Sequence, residues 1–85
     1  MAVIARFLGI IIFMHWREHR PPHFHVMYAD HEAEIAILTG VVVGYLPPRA
    51  LKLVQEWRRL HKAELMDNWR RSEEKQEFRK IAPLE

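Results

Sequence analysis

The sequence predicts an α+β domain: a small antiparallel sheet of three to four strands within residues 3 to 45, packed on one face by one long or two consecutive C-terminal helices over residues 48 to 75. Up to Val43 the chain shows β-branched and aromatic runs broken by Gly, Pro and turn residues, the pattern of short strands. From Pro48 onward Leu51, Val54, Trp57 and Leu60 recur at helical spacing. At 85 residues the chain is one domain with a small core, so the sheet face and the helix stripe must bury each other.

The first run, Val3 to Met14, is nearly continuous in apolar residues. It reads as a central strand buried on both faces, with Gly9 marking a bulge, a bend or a break between two short strands. Its densest part, Phe7 to Met14, falls far short of the roughly 20 residues needed to span a bilayer. Only Arg6 precedes it as a basic residue, and no small-residue cleavage site follows before Trp16 and Arg17, so a signal peptide is not expected. The chain has no cysteine, which excludes disulfides and thiolate metal sites and fits a reducing, cytoplasmic setting without a membrane partner.

His15-Trp16-Arg17-Glu18-His19-Arg20 then leads into Pro21-Pro22. Two prolines remove two backbone donors and fix φ, so a stiff polar loop delivers the chain into the next strand. On that strand side chains alternate, placing Phe24, Val26 and Tyr28 on one face and His23, His25 and Met27 on the other. A turn at Asp30-His31 pairs it with Ala33 to Leu38. The expected register sets Tyr28 opposite Ala33, Val26 opposite Ile35 and Phe24 opposite Ile37, with His25 opposite Ala36 and Glu34 one diagonal away.

Thr39-Gly40 turns the chain into Val41-Val42-Val43, ended by Gly44. Pro47-Pro48 opens the helical half, since a proline at the first helical position lacks only a donor that would have no partner. Leu65 and Trp69 continue the apolar stripe, and a break near His61 and Lys62 is expected because one unbroken helix is long for this domain. In the tail, residues 76 to 85, Phe78, Ile81 and Leu84 are positioned to dock as an extended segment. Phe24, Val26, Tyr28, Ile35 and Ile37 should meet Leu51, Val54 and Trp57.

The opposite sheet face carries the candidate chemistry. Imidazoles at i and i+2 on a strand can bind one divalent transition metal such as zinc, nickel or copper. His19, His15 or Glu34 could complete a set with His23 and His25. The same atoms could act without a cofactor. Metal-independent RNA cleavage needs a base for the 2′-hydroxyl and an acid for the leaving oxygen, roles open to His23, His25 and His19, with Arg17 or Arg20 neutralising charge on the phosphorane. A third reading is structural, with the histidines packed or lining a partner or dimer interface on that face.

Net charge is only +2, but residues 49 to 80 hold ten of the thirteen Lys and Arg against six acids. RNA or DNA binding through Arg49, Lys52, Arg58, Arg59, Arg70 and Arg71 is one reading of this distribution, and a solvated helix surface is the commoner one. Trp57 and Trp69 lie in phase with the stripe and read as packing residues. His61 falls beside it as a packed, hydrogen-bonded histidine. Trp16 either covers the histidine face or finishes the first strand.

Gly9-Ile10-Ile11-Ile12, the block Glu18-His19-Arg20-Pro21-Pro22-His23-Phe24-His25-Val26, Ala33-Glu34-Ile35, Leu46-Pro47, Trp57, His61, Glu64-Leu65 and Asn68-Trp69 resemble the small bacterial proteins grouped as domain of unknown function 4160. The Pro-Pro-His-Phe-His-Val block is the most specific part. The residue before His19 is commonly Asp there, so Glu18 is a conservative departure. The resemblance implies membership of a toxin-antitoxin-like gene pair with a small cognate protein, as RNA-acting component or as regulator. It carries over only His19, His23 and His25 as candidate site, with Trp57 and Trp69 as packing residues.

Overall fold

The computed structural model describes residues 1–84. Five strands, β1 (Ala2–Phe7), β2 (Ile10–Met14), β3 (His23–Tyr28), β4 (His31–Ala36) and β5 (Val42–Gly44), form one antiparallel meander in chain order, followed by α1 (Pro48–Leu60) and α2 (Lys62–Glu73). The α+β class holds, with five strands rather than three or four. Of the alternatives open for Val3 to Met14, the structure has the break between two short strands at Gly9 rather than one central strand. Leu8 and Gly9 both take positive φ, 50° and 81°, the backbone pattern of a tight two-residue hairpin, and they fold the run back on itself.

The second hairpin differs from the expected register by two positions. Tyr28 faces His31, Val26 faces Ala33, Phe24 faces Ile35, His25 faces Glu34 and His23 faces Ala36. The turn is Ala29-Asp30, one residue earlier than expected, with Ala29 at φ 55°. Asp30 marks the turn in the sequence, but no glycine or asparagine marks Ala29 as its left-handed position, so the exact placement is not signalled. A slip of two keeps every side chain on its face. The division into apolar and histidine faces therefore stands, while Glu34 moves from a diagonal position to one directly opposite His25.

The apolar face meets the helices as expected. Phe24, Val26, Ile35, Ile37, Val54 and Trp57 are fully buried together, and Tyr28 and Leu51 pack at the edge of this core. The Phe7 and Phe24 rings lie 5.6 and 5.9 Å from the Trp57 ring. The helical half breaks at His61, whose backbone N–H donates to Trp57 and Arg58 carbonyls while its Nδ1 lies 2.6 Å from Glu64 Oε1. His61 is thus packed and hydrogen-bonded, 5.4 Å from the Trp57 ring.

The tail docks along β1. Ile81 enters the core and its N–H donates to the Ile4 carbonyl at 2.9 Å. Asn68 holds the Arg79 backbone by two 2.9 Å bonds, and Trp57 Nε1 donates to the Ala82 carbonyl at 2.8 Å. Trp16 stacks on Phe78 at 4.5 Å and donates to the Gln76 carbonyl, so it anchors the tail instead of covering the histidines. No helix among the described residues is long and apolar enough to cross a membrane.

Candidate functional site

Two adjacent strands and one loop assemble the site. Alternation on β3 sends His23 and His25 to the same face, and the β3–β4 register brings Glu34 beside His25. The loop after β2 contributes the fourth group. Arg17 takes a left-handed conformation, φ 60°, where the chain turns ahead of Glu18, and Pro21-Pro22 then leads into β3. Glu18 Oε1 ends 2.7 Å from His25 Nε2 and 3.2 Å from His23 Nε2. Glu34 Oε1 stands 4.0 Å from His25 Nδ1.

One ligand atom from each of Glu18, His23, His25 and Glu34 falls within 4.8 Å of the other three. Three of the five candidate ligands expected from sequence, His23, His25 and Glu34, are thus together. His19 is exposed, 5.6 Å from the His23 ring, and Glu18 takes the place foreseen for it. His15 packs its ring 4.8 Å from His25 and 5.5 Å from Phe13, whose ring stacks on His25 at 5.1 Å. Glu18 was a missed residue, although it stands three positions ahead of the Pro-Pro-His-Phe-His-Val block as the acid before His19.

The histidine face is not open in the way the sequence suggested. His23 and His25 are only 5 and 7 % exposed, because the loop, Phe13 and Trp69 close over them. This burial fixes the chemistry of His23. Its Nδ1 lies 2.9 Å from the Pro21 carbonyl, which can only accept, so Nδ1 carries the proton. Its Nε2 is buried and without a hydrogen-bond partner, with Glu18 Oε1 3.2 Å away. A histidine held through Nδ1–H with Nε2 free is the arrangement of a metal-ligating imidazole.

The spacing also suits a metal. Zinc bonds of about 2.0–2.1 Å in tetrahedral geometry set ligand atoms about 3.3 Å apart. The His23–Glu18 distance of 3.2 Å already matches, and His25–Glu18 at 2.7 Å needs about half an ångström of opening.

His23 and Glu34 also line a groove of about 380 Å³. Its other walls are mostly apolar, Pro21, Pro22, Ala36, Leu38, Val41 and Val43, with Thr39 and His19 as the remaining polar residues. No arginine or lysine lines it. Arg20 points away, its guanidinium 3.0 Å from Glu73 on α2, and Arg17 is exposed.

The basic residues of the helices divide. Arg58 is not on the surface: it is 6 % exposed, donates from Nη1 to the Ile37 carbonyl at 2.9 Å, and burial followed by Arg59 lowers its pKa. Arg70 and Arg71 both bond Asp67, at 2.7 and 2.9 Å. The Asp67 carboxyl is held below its usual range by hydrogen bonds from Arg71 and Arg70, and Arg70 is raised by the same contact. Arg49, Lys52 and Arg59 are exposed.

Comparison with known proteins adds the family. No curated protein and no solved structure matches the chain. The family model described as "Domain of unknown function (DUF4160)" matches residues 9–70, which span β2 through most of α2 and hold every residue of the histidine–glutamate cluster, and the chain belongs to that family.

Proposed function

We propose that this protein binds one divalent transition-metal ion through His23 Nε2, His25 Nε2 and Glu18, with Glu34 alongside and a coordination position facing the groove. The observation that carries this reading is the buried, unpartnered Nε2 of His23, aimed at the same point as His25 Nε2. Two imidazoles and a carboxylate suit zinc and its neighbours rather than magnesium or calcium. An open position is the mark of a site that acts on a ligand rather than one that only holds the fold. The test is metal content of the tag-free protein, expected near one equivalent, and its loss in His25→Ala. Metal-free protein that takes up no zinc, nickel or copper on dialysis removes the reading.

A second reading uses the same atoms without a metal. The 2.7 Å contact of Glu18 with His25 orients that imidazole, and a second imidazole lies beside it, the acid-base pair that RNA cleavage requires. With Arg20 committed to Glu73, charge neutralisation at phosphate would fall to Arg17. Such a protein would be the RNA-acting member of a toxin-antitoxin-like pair, whose cognate partner silences it. RNA cleavage that persists in chelator and disappears in His25→Ala supports this; uncut RNA and harmless expression remove it.

A further inference from the structure

The groove beside the cluster is a surface feature that the metal ligands alone do not explain. Its volume, about 380 Å³, lies in the range of small-ligand clefts, about 300–1,000 Å³. Polar groups and apolar walls are segregated within it. His23 and Glu34 join it to the metal cluster, while Pro22, Ala36, Leu38, Val41 and Val43 supply hydrocarbon surface. Leu38, Val41 and Val43 are 54, 63 and 64 % exposed, a concentration of large apolar side chains that water-facing sheet surfaces normally avoid.

Charge decides the head group. The groove has no cationic side chain other than its histidines, and Glu34 places a carboxylate in its wall. A divalent ion held by Glu18 with Glu34 beside it is already neutralised. Phosphates and free carboxylates are therefore disfavoured, and a neutral oxygen donor is favoured.

We infer that the groove receives a neutral apolar acyl compound, an amide or ester. Its carbonyl oxygen takes the open metal position and its hydrocarbon chain lies on Leu38, Val41, Val43 and the Pro21-Pro22 wall. Glu34 stands where it can accept a hydrogen bond from an N–H or O–H on the ligand's head. This inference rests on the metal reading and specifies what the metal site is for.

Primary alkyl amides carry such a head, and titration of the full-length zinc-loaded protein with acetamide, butanamide and hexanamide tests the inference. Full burial of a methylene corresponds to about a fourfold gain in affinity, so the series should tighten by two- to fourfold per methylene. In Leu38→Ser/Val41→Ser the gain should collapse while zinc affinity stays the same. Hexanoate, with the same chain and a charged head, should bind at least tenfold more weakly than hexanamide. Affinity independent of chain length, or unchanged in the double variant, overturns the groove assignment and leaves the metal site standing. Failure to take up zinc at all overturns both. A free acyl compound and an acylated peptide share this chemistry. Tighter binding of hexanoyl-glycyl-glycine amide than of hexanamide would identify the peptide source, and the reverse order the free compound.

Discussion

Glu18 Oε1 lies 2.7 Å from His25 Nε2, although the two residues stand on opposite sides of Pro21-Pro22. The carboxylate accepts a hydrogen bond from one imidazole and sits beside the unpartnered Nε2 of another. Glu18→Gln keeps the shape but removes the charge that a divalent ion needs. Changes to the outer partners of metal ligands cost about 10- to 100-fold in affinity, so loss of this direct ligand should cost at least about 100-fold. Competition titration against a chromophoric zinc chelator, with circular dichroism confirming the fold, measures it.

Metal binding should also stabilise the protein. A ligand present at about 100 times its Kd adds about 2.7 kcal/mol to the folded state. For a domain of this size each kcal/mol moves Tm by about 4–8 °C, so zinc should raise Tm by about 10–20 °C and chelator should reverse the shift. The same scan on His23→Ala should show no response to zinc. An equal zinc response in His23→Ala would place the metal elsewhere.

Much of the fold was legible because alternation and helical spacing are local. Phe24, Val26 and Ile35 announce one buried face and Val54 and Trp57 the stripe that covers it, and His61 marks the helix break. Partner choice was less legible. A period of two assigns faces but not registers, and the second hairpin turns at Ala29, a residue with no turn signature, so Glu34 was placed diagonally from His25 instead of opposite it. Gly9 marked a possible break between two short strands, but a continuous apolar run reads alike as one strand or two, so the sequence left the choice open.

The site was half legible for the same reason. His23 and His25 follow from the strand period, whereas Glu18 arrives by the path of a loop, through Arg17 at φ 60° and two prolines, which no periodicity encodes. Arg58 was misplaced for a related reason. Its position near the stripe left it free to face water or the core, and an orphan carbonyl at Ile37 draws it in.

The two buried tryptophans allow a matched comparison. Trp57 Nε1 donates to the Ala82 carbonyl, whereas Trp69 Nε1 is buried with no partner among the described residues. Substitution by Phe removes similar volume at both sites, but at Trp57 it also orphans a carbonyl, while at Trp69 it removes an unsatisfied donor. Trp57→Phe should therefore cost about 1–3 kcal/mol more than Trp69→Phe in urea unfolding.

Gly44 sits at φ 101°, and a Cβ there would lie 2.7 Å from the Glu32 carbonyl oxygen and 3.0 Å from Ala33 Cα. Both neighbours are backbone of β4, which cannot yield without breaking the pairing. Gly44→Ala should detach β5 and destabilise the domain by about 2 kcal/mol or more. Because β5 also forms the Val43 wall of the groove, the loss should appear as faster amide exchange at Val42 and Val43 as well as in the melting curve.

Arg58 and Arg59 are neighbours in sequence with opposite prospects. Arg58 donates to the Ile37 carbonyl and to Gln55 from within the structure, and Arg59 is exposed. Hydrogen bonds from a charged group contribute about 1.5–3 kcal/mol each, and removing the donor leaves the Ile37 carbonyl buried without it. Arg58→Ala should therefore destabilise by about 2 kcal/mol or more, while Arg59→Ala should stay within about 0.5 kcal/mol of the parent. Nucleic-acid affinity, if the helical surface has any, should respond in the other order: Arg59→Ala with Arg49→Ala and Lys52→Ala should weaken it and flatten its salt dependence. Equal stability of Arg58→Ala and Arg59→Ala would contradict the buried placement of Arg58.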